Sequence, residues 1–277
     1  MKPTEYIVIQ NIKLAVYKKP ATGIPIVFVH GLSGSAQAFE HVWDSALLKD
    51  FELWAVDLPG HGNSDFANDP SEYTILNLSK RVAGFIDHYA LKEVIVIGHS
   101  LGGHVAIHAM EFTDRISAMM LVGTAPLKNG ADIANGYNLS NDVLPLFQKE
   151  ATEEELTVAL KFGIHDRKND RIFRDSFLTT DGTCREIVGK DIATFFNSKE
   201  FVSELKMLSN PDLHVAIVLG EFENLINRQY MVGLDIPSWG NKLHLIRDAG
   251  HCPPFEAPDQ LTVLVRDFAL DVSRQFS

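Results

Sequence analysis

Hydrophobic residues in this chain come in short runs rich in β-branched side chains, and between the runs lie stretches of helix length. Residues 6–9 and 12–17 read as a leading hairpin. The runs 26–29, 53–56, 94–97 and 118–122 are continuously apolar, as strands of a parallel sheet covered on both faces must be. Helices are predicted over 36–48, 75–89 and 101–112. Alternation of strand and helix in this manner predicts an α/β fold with a mostly parallel, doubly wound sheet.

The rhythm breaks after Pro126. Asn, Gly and charged residues lead into helical segments at 152–160, 173–177 and 189–196, and no strand recurs until 215–219. A structureless loop of that length is rare in a compact domain. Residues 127–205 are therefore expected to form a helical cap inserted into a core domain made of 1–126 and 206–277. The alternation then closes with a strand at 243–246 and a helix at 260–269.

Composition narrows the function classes. The 277 residues are 45% hydrophobic and 22% charged, which excludes a disordered chain, a collagen and a small disulfide scaffold. Lys and Arg number 25 against 36 Asp and Glu, a net charge of −11 that disfavours nucleic acid and anionic membrane surfaces as partners. Cys184 and Cys252 stand far apart in no metal-ligand spacing and are expected to be free thiols. The first residues carry no apolar signal core, and no apolar run approaches the ~20 residues of a membrane span. A cytoplasmic location is expected.

The sharpest chemical signal is Gly98-His99-Ser100-Leu101-Gly102, placed directly between a predicted strand and a predicted helix. Small residues on both sides let the backbone turn sharply and lift the serine hydroxyl above the sheet, so Ser100 is the candidate nucleophile. A serine hydroxyl needs a base within hydrogen-bond reach, and the base needs a carboxylate to orient it. Among eleven histidines, His251 follows the last strand on a loop at the carboxyl edge of the sheet and is the candidate base. His30 and His99 also sit at strand ends, but neither position lets an imidazole approach the serine from the side. The loop Gly220-Glu221-Phe222-Glu223-Asn224 supplies the acid, with Glu223 preferred and Glu221 the alternative.

Glycines in His30-Gly31-Leu32-Ser33-Gly34 let backbone N–H groups turn toward a reacting carbon. The N–H groups of Leu32 and Leu101 are the expected oxyanion donors. His30, Gly31 and His99 are expected near the substrate, together with Phe147 and Leu160 from the cap. Apolar cap residues, among them Leu144, Leu146, Phe147, Leu156, Leu160, Phe162, Phe195 and Phe196, either line an acyl-chain pocket or pack the cap onto the core. His104 and His108 stand four apart on a predicted helix, a spacing that can bind metal, but no glutamate follows the first of them as in a zinc protease. No metal site is expected. Asp57, in Asp57-Leu58-Pro59-Gly60-His61-Gly62, is expected to tie down backbone N–H groups in a rigid turn.

Taken in order, the His30-Gly31 loop, the Asp57 turn, the Ser100 elbow, the acid loop and Ala249-Gly250-His251 resemble the α/β-hydrolase fold family over nearly the whole chain. That resemblance implies an acyl-enzyme on Ser100, proton shuttling by His251 and no cofactor. Within the family the chain is similar to the N-acyl-homoserine lactonases, which open the lactone ring of bacterial quorum-sensing signals. The similarity lies in Ser100-Leu101-Gly102-Gly103-His104, Leu121-Val122-Gly123-Thr124-Ala125-Pro126, Asp181-Gly182-Thr183, Glu223, and Asp248-Ala249-Gly250-His251-Cys252-Pro253-Pro254-Phe255. That group carries an asparagine where this chain has Leu32 and a tryptophan where it has His99. The expected function is hydrolysis of a small-molecule carboxylic ester or lactone through an acyl-enzyme, foremost the opening of the lactone ring of N-acyl-homoserine lactones. The alternatives are a general carboxylesterase, a carbon–carbon bond hydrolase of ring-cleavage products, and a signal receptor built on a hydrolase triad.

Overall fold

The computed structural model describes residues 1–166 and 170–275. Of the segment expected as a cap, positions 167–169 lie outside the described residues, as do 276–277 of the expected core. Eight strands form one sheet in the order β1-β2-β4-β3-β5-β6-β7-β8. They are β1 (Glu5–Ile9), β2 (Ile12–Lys19), β3 (Pro25–Val29), β4 (Glu52–Val56), β5 (Val94–His99), β6 (Ile116–Val122), β7 (His214–Gly220) and β8 (Leu243–Ile246). β2 pairs antiparallel with β1 and β4, and every other pairing is parallel.

Successive strand residues face opposite sides, so one strand feeds two cores. Val27, Val29, Val94 and Val96 pack into one layer, and Ile26, Phe28, Ile95 and Ile97 into the other. Helices α2 (Ile75–His88) and α3 (Leu101–Ala109) cover the first layer, α2 through Ile75, Leu78, Val82, Phe85 and Ile86 at helical spacing. The second layer is closed by α1 (Glu40–Trp43) and α11 (Pro258–Ser273), the latter through Leu261, Val265, Phe268 and Val272.

Two helices predicted in the core need correction. The stretch 36–48 is α1 flanked by 3-10 turns at Ala36–Phe39 and Ala46–Leu48. Ser45 is extended and its hydroxyl accepts the Leu47 N–H, a local bond that competes with a continuous helix. The helix predicted to reach residue 112 ends at Ala109, where Glu111 and Phe112 turn back with bonds to the His108 and Ala109 carbonyls.

Between β6 and β7 the chain runs through α4 (Ile133–Gly136), α5 (Glu153–Gly163), α6 (Asp170–Thr179), α7 (Gly182–Phe195) and α8 (Glu204–Leu208). Thr152 and Glu155 form a reciprocal capping box that starts α5. Asp181 starts α7 by accepting the Thr183 N–H, and its other oxygen accepts the Tyr73 hydroxyl at 2.6 Å, fastening this insertion to the core. Inside it, the Arg185 guanidinium donates to the carbonyls of Gln148, Lys149, Phe177 and Thr180. After β7 come α9 (Arg228–Val232) and, beyond β8, α10 (Pro253–Glu256). Among the described residues no helix is long and apolar enough to cross a membrane.

Candidate active site

β5 ends at His99 and α3 begins at Leu101, which leaves Ser100 alone at the corner with φ 50° and ψ −118°. Such backbone is unfavourable for a residue with a Cβ by about 1–3 kcal/mol, so its surroundings must hold it. The Ser100 N–H donates to the Val122 carbonyl and the Thr124 hydroxyl donates to the Ser100 carbonyl, each at 2.8 Å. Strand and helix meet at backbone distance here. A Cβ on Gly102 would stand 2.3 Å from the Val29 oxygen, and one on Gly103 would stand 2.1 Å from Thr124 Oγ1.

Two loops at the same sheet edge bring the other groups to this corner. His251 Nε2 lies 3.0 Å from Ser100 Oγ, and His251 Nδ1 lies 2.8 Å from Glu223 Oε2. The second Glu223 oxygen accepts the N–H groups of Leu225 and Ile226 at 2.7 and 3.1 Å, so the carboxylate is fixed from behind. A carboxylate only accepts, which assigns the proton to Nδ1 and leaves Nε2 as the acceptor for the serine hydroxyl. Burial disfavours the imidazolium, yet the Glu223 charge and hydrogen bond, with Glu256 further off, outweigh it and hold the His251 pKa above its ordinary value. Glu221 is exposed and accepts the Asp248 N–H instead, so of the two loop acids only Glu223 reaches the imidazole.

The loop after β3 packs against the same serine: a Cβ on Gly31 would stand 3.1 Å from Ser100 Cβ. Gly34 N–H bonds to the Gly31 carbonyl, closing a turn with Leu32 at its second position and the Leu32 N–H outside that bond. Leu101 is the first residue of α3, where N–H groups have no intrahelical acceptor. The Gly31 turn and the first turn of α3 thus both adjoin Ser100.

His30, expected near the substrate, is fully buried and has both ring nitrogens engaged with backbone: Nδ1 bonds to the Gly31 carbonyl and Nε2 accepts the Leu58 N–H. Burial lowers its pKa to about 4, so it is a neutral post beneath the turn. His61 stands beside it and accepts the Ser33 N–H, with a pKa that burial lowers to about 3. His99 donates to the His251 carbonyl at 2.8 Å and is likewise neutral, its pKa lowered to about 3 by burial. Leu160 is buried with Leu156, Ile164, Phe177 and Cys252, in a cluster that joins the insertion to the loop carrying His251. Phe147 stays half-buried, its Cβ against the backbone of Gly189. Asp57 accepts the Ala36 and Asn63 N–H groups and the Tyr17 hydroxyl, as a turn-forming aspartate does.

Two buried carboxylates had no signal in the sequence. Glu204 Oε1 lies 2.7 Å from His104 Nδ1 and 3.3 Å from His108 Nε2, and its Oε2 accepts the Leu127 N–H. His104 Nε2 bonds to the Tyr137 hydroxyl and His108 Nδ1 to Glu111, so the pair spaced four apart serves carboxylates on its ring nitrogens. Among the described residues no group of three or more His, Cys, Asp or Glu is placed to hold a metal ion. Glu256 accepts four backbone N–H groups, two from the loop that carries His251 and two from the insertion. Their partners lie 77 to 100 positions away for Glu204 and up to 91 for Glu256, so no local pattern announces them.

A family model described as alpha/beta hydrolase fold matches residues 24–168, slightly more than half of the chain. An uncharacterized hydrolase of Bacillus subtilis (strain 168), YugF, is 24% identical over 265 residues, covering 93% of this chain and 94% of its own length. Among solved structures, the N-acyl homoserine lactonase AidH in complex with N-butanoyl homoserine superposes with a TM-score of 0.88 at 23% identity, over 97% of each chain. A thermophilic esterase from Thermogutta terrifontis superposes with a TM-score of 0.76 at 21% identity, over 99% of this chain and 98% of its own.

Proposed function

Given that the chain belongs to the α/β-hydrolase fold family, we propose that it is a serine hydrolase of carboxylic esters or lactones and that its substrate is the ring of an N-acyl-homoserine lactone. The observation that carries the reading is the unbroken hydrogen-bond chain Glu223–His251–Ser100, with links of 2.8 and 3.0 Å, at a strained strand-to-helix corner. The strain is consistent with selection for an exposed hydroxyl rather than for stability.

In this reading Ser100 Oγ attacks the carbonyl carbon while His251 Nε2 takes its proton, and the Glu223 carboxylate stabilises the imidazolium that forms. The N–H groups of Leu32 and Leu101 receive the developing oxyanion, each contributing about 3 kcal/mol. Collapse breaks the acyl–oxygen bond, and His251 returns the proton to the leaving alkoxide. In a lactone that alkoxide remains tethered to the acyl group, so the ring opens without loss of a fragment. Water then attacks the acyl-enzyme by the same route in reverse, releasing the hydroxy acid and restoring Ser100. We read the insertion between β6 and β7 as the lid over this site and the seat of acyl-chain choice.

The lactone assignment draws support from a superposition that includes the insertion as well as the sheet. Simple-ester hydrolysis is the second reading, favoured by Leu32, whose apolar side chain offers no amide to a lactone. Incubating acyl-homoserine lactones and p-nitrophenyl esters with the protein separates them. A lactone product heavier by one water, formed with the higher kcat/KM, is expected. Absence of that product with rapid release of nitrophenol assigns the protein to simple esters.

The raised pKa of His251 gives a pH signature. The base works only when deprotonated, so kcat/KM should rise with pH through an acid limb lying above 6.5, the ordinary histidine value. Glu223→Gln removes the charge that sustains the shift and should move the limb to lower pH. An acid limb at the same pH in both proteins separates Glu223 from the base.

A further inference from the structure

We propose that Glu256 is a positioning residue that makes the placement of His251 depend on seating of the insertion loop at 163–166. The proposal rests on His251 being the base. Glu256 lies at the end of α10, nearly buried, and its two oxygens serve different parts of the molecule. Oε2 accepts the Gly250 and Cys252 N–H groups at 2.9 and 3.2 Å, the residues on either side of His251. Oε1 accepts the His165 and Asp166 N–H groups at 2.6 and 2.9 Å, in the loop that follows α5.

Three further contacts join the same loops. The His251 N–H itself donates to the Gly163 carbonyl at 2.9 Å. A Cβ on Gly250 would stand 2.9 Å from the His165 nitrogen, so the loops touch with no side chain between them. The His165 ring stacks on Phe222, the neighbour of Glu223, with centroids 3.9 Å apart and planes within 8°. Base loop and insertion loop thus meet at one carboxylate, and the acid loop joins them through the stack of Phe222 on His165. When the insertion loop lifts, Glu256 loses two donors, His251 loses the acceptor of its own amide, and the imidazole is no longer fixed over Ser100. Misplacement of a reacting group by about 1 Å can lower a rate by about 100-fold, so a small displacement suffices.

Glutamine is the discriminating replacement, because its NH2 group must face N–H donors on one of the two loops and cannot accept from them. Glu256→Gln is expected to lower kcat about ten- to hundredfold per folded molecule with KM for a small ester within about twofold. The downfield proton resonance of His251 Nδ1–H, which reports the bond to Glu223 directly, should shift or broaden. Gly250→Ala, whose Cβ would stand 2.9 Å from the His165 nitrogen and 3.3 Å from Glu256 Oε2, wedges the loops apart while leaving the carboxylate in place; it should reproduce both effects and stands in should the first variant fail to fold. In the wild type, phosphonylation of Ser100 should slow amide exchange at His165 and Asp166, since coupling between two sites is reciprocal. An unshifted resonance together with unchanged kcat per folded molecule in these variants overturns the proposal. The resonance is readable without turnover, so an inactive base and an uncoupled loop give different results.

Discussion

Ser100→Ala is expected to lower kcat/KM by about 10⁴- to 10⁶-fold while the protein stays folded and still binds its substrate. On the proposed mechanism the size follows from the loss of a covalent step: without Oγ, His251 and Glu223 have no proton to relay, and only the proposed donors, the N–H groups of Leu32 and Leu101, remain to stabilise charge. The fold should hold because the hydroxyl has a single side-chain partner, His251. Alanine keeps the Cβ and therefore the unfavourable φ of 50°. Ser100→Gly, equally inactive, should be more stable than either by about 1 kcal/mol, as glycine adopts positive φ freely. Kinetics and thermal unfolding of the three proteins side by side test this. A Ser100→Ala protein that keeps about a tenth or more of the wild-type rate removes the serine from the chemistry. One that binds ligand normally, when the wild type shows no turnover, is a receptor.

The largest expected effect on stability belongs to Glu204→Ala, at about 3–5 kcal/mol. Glu204 is fully buried, and its removal strips His104 and His108 of their shared partner and leaves the Leu127 N–H without its acceptor. Burial alone would raise the Glu204 pKa, but His104 and then His108 outweigh it and bring it down to about 2. A carboxylate depressed in the fold contributes stability above its ordinary value of 4.5, lost as pH falls toward 2. His108 shifts the other way: burial lowers its pKa, Glu204 and Glu111 raise it further, and its contribution is full below 6.5 and lost as pH climbs. The cluster therefore stabilises most between those two ordinary values. Urea unfolding of wild type and Glu204→Ala across pH should show the difference largest there; a difference independent of pH would separate the loss from these charges.

The strands were legible because each is a run of apolar residues that no other element explains, Val94 to Ile97 being the clearest. Ser100, His251 and Glu223 were legible for a related reason: each follows a strand at the sheet edge, and glycines mark the turns that carry them. What sequence could not reveal are contacts made by ordinary residues across long separations. Glu256 lies between a pair of prolines and the predicted closing helix at 260–269, with no local signal of its own, yet it fastens a loop 90 positions upstream. His30 shows the same limit from the other side: its place at a strand end does not reveal that both ring nitrogens bond to backbone. Helix α7 began seven residues before the predicted segment because Asp181 caps it, a start signal that its glycine-containing first turn concealed.

Leu127 and Glu204 stand at the two ends of the insertion, and each gives its backbone N–H to the other residue, one to a side chain and one to a carbonyl. The flanking strands β6 and β7 are themselves neighbours in the sheet. Seen from the core, the excursion leaves and returns at one point, while Tyr73, Ile75 and Glu256 hold it down at others. The stretches between those anchors can therefore change in length without parting the two ends of the insertion from the sheet.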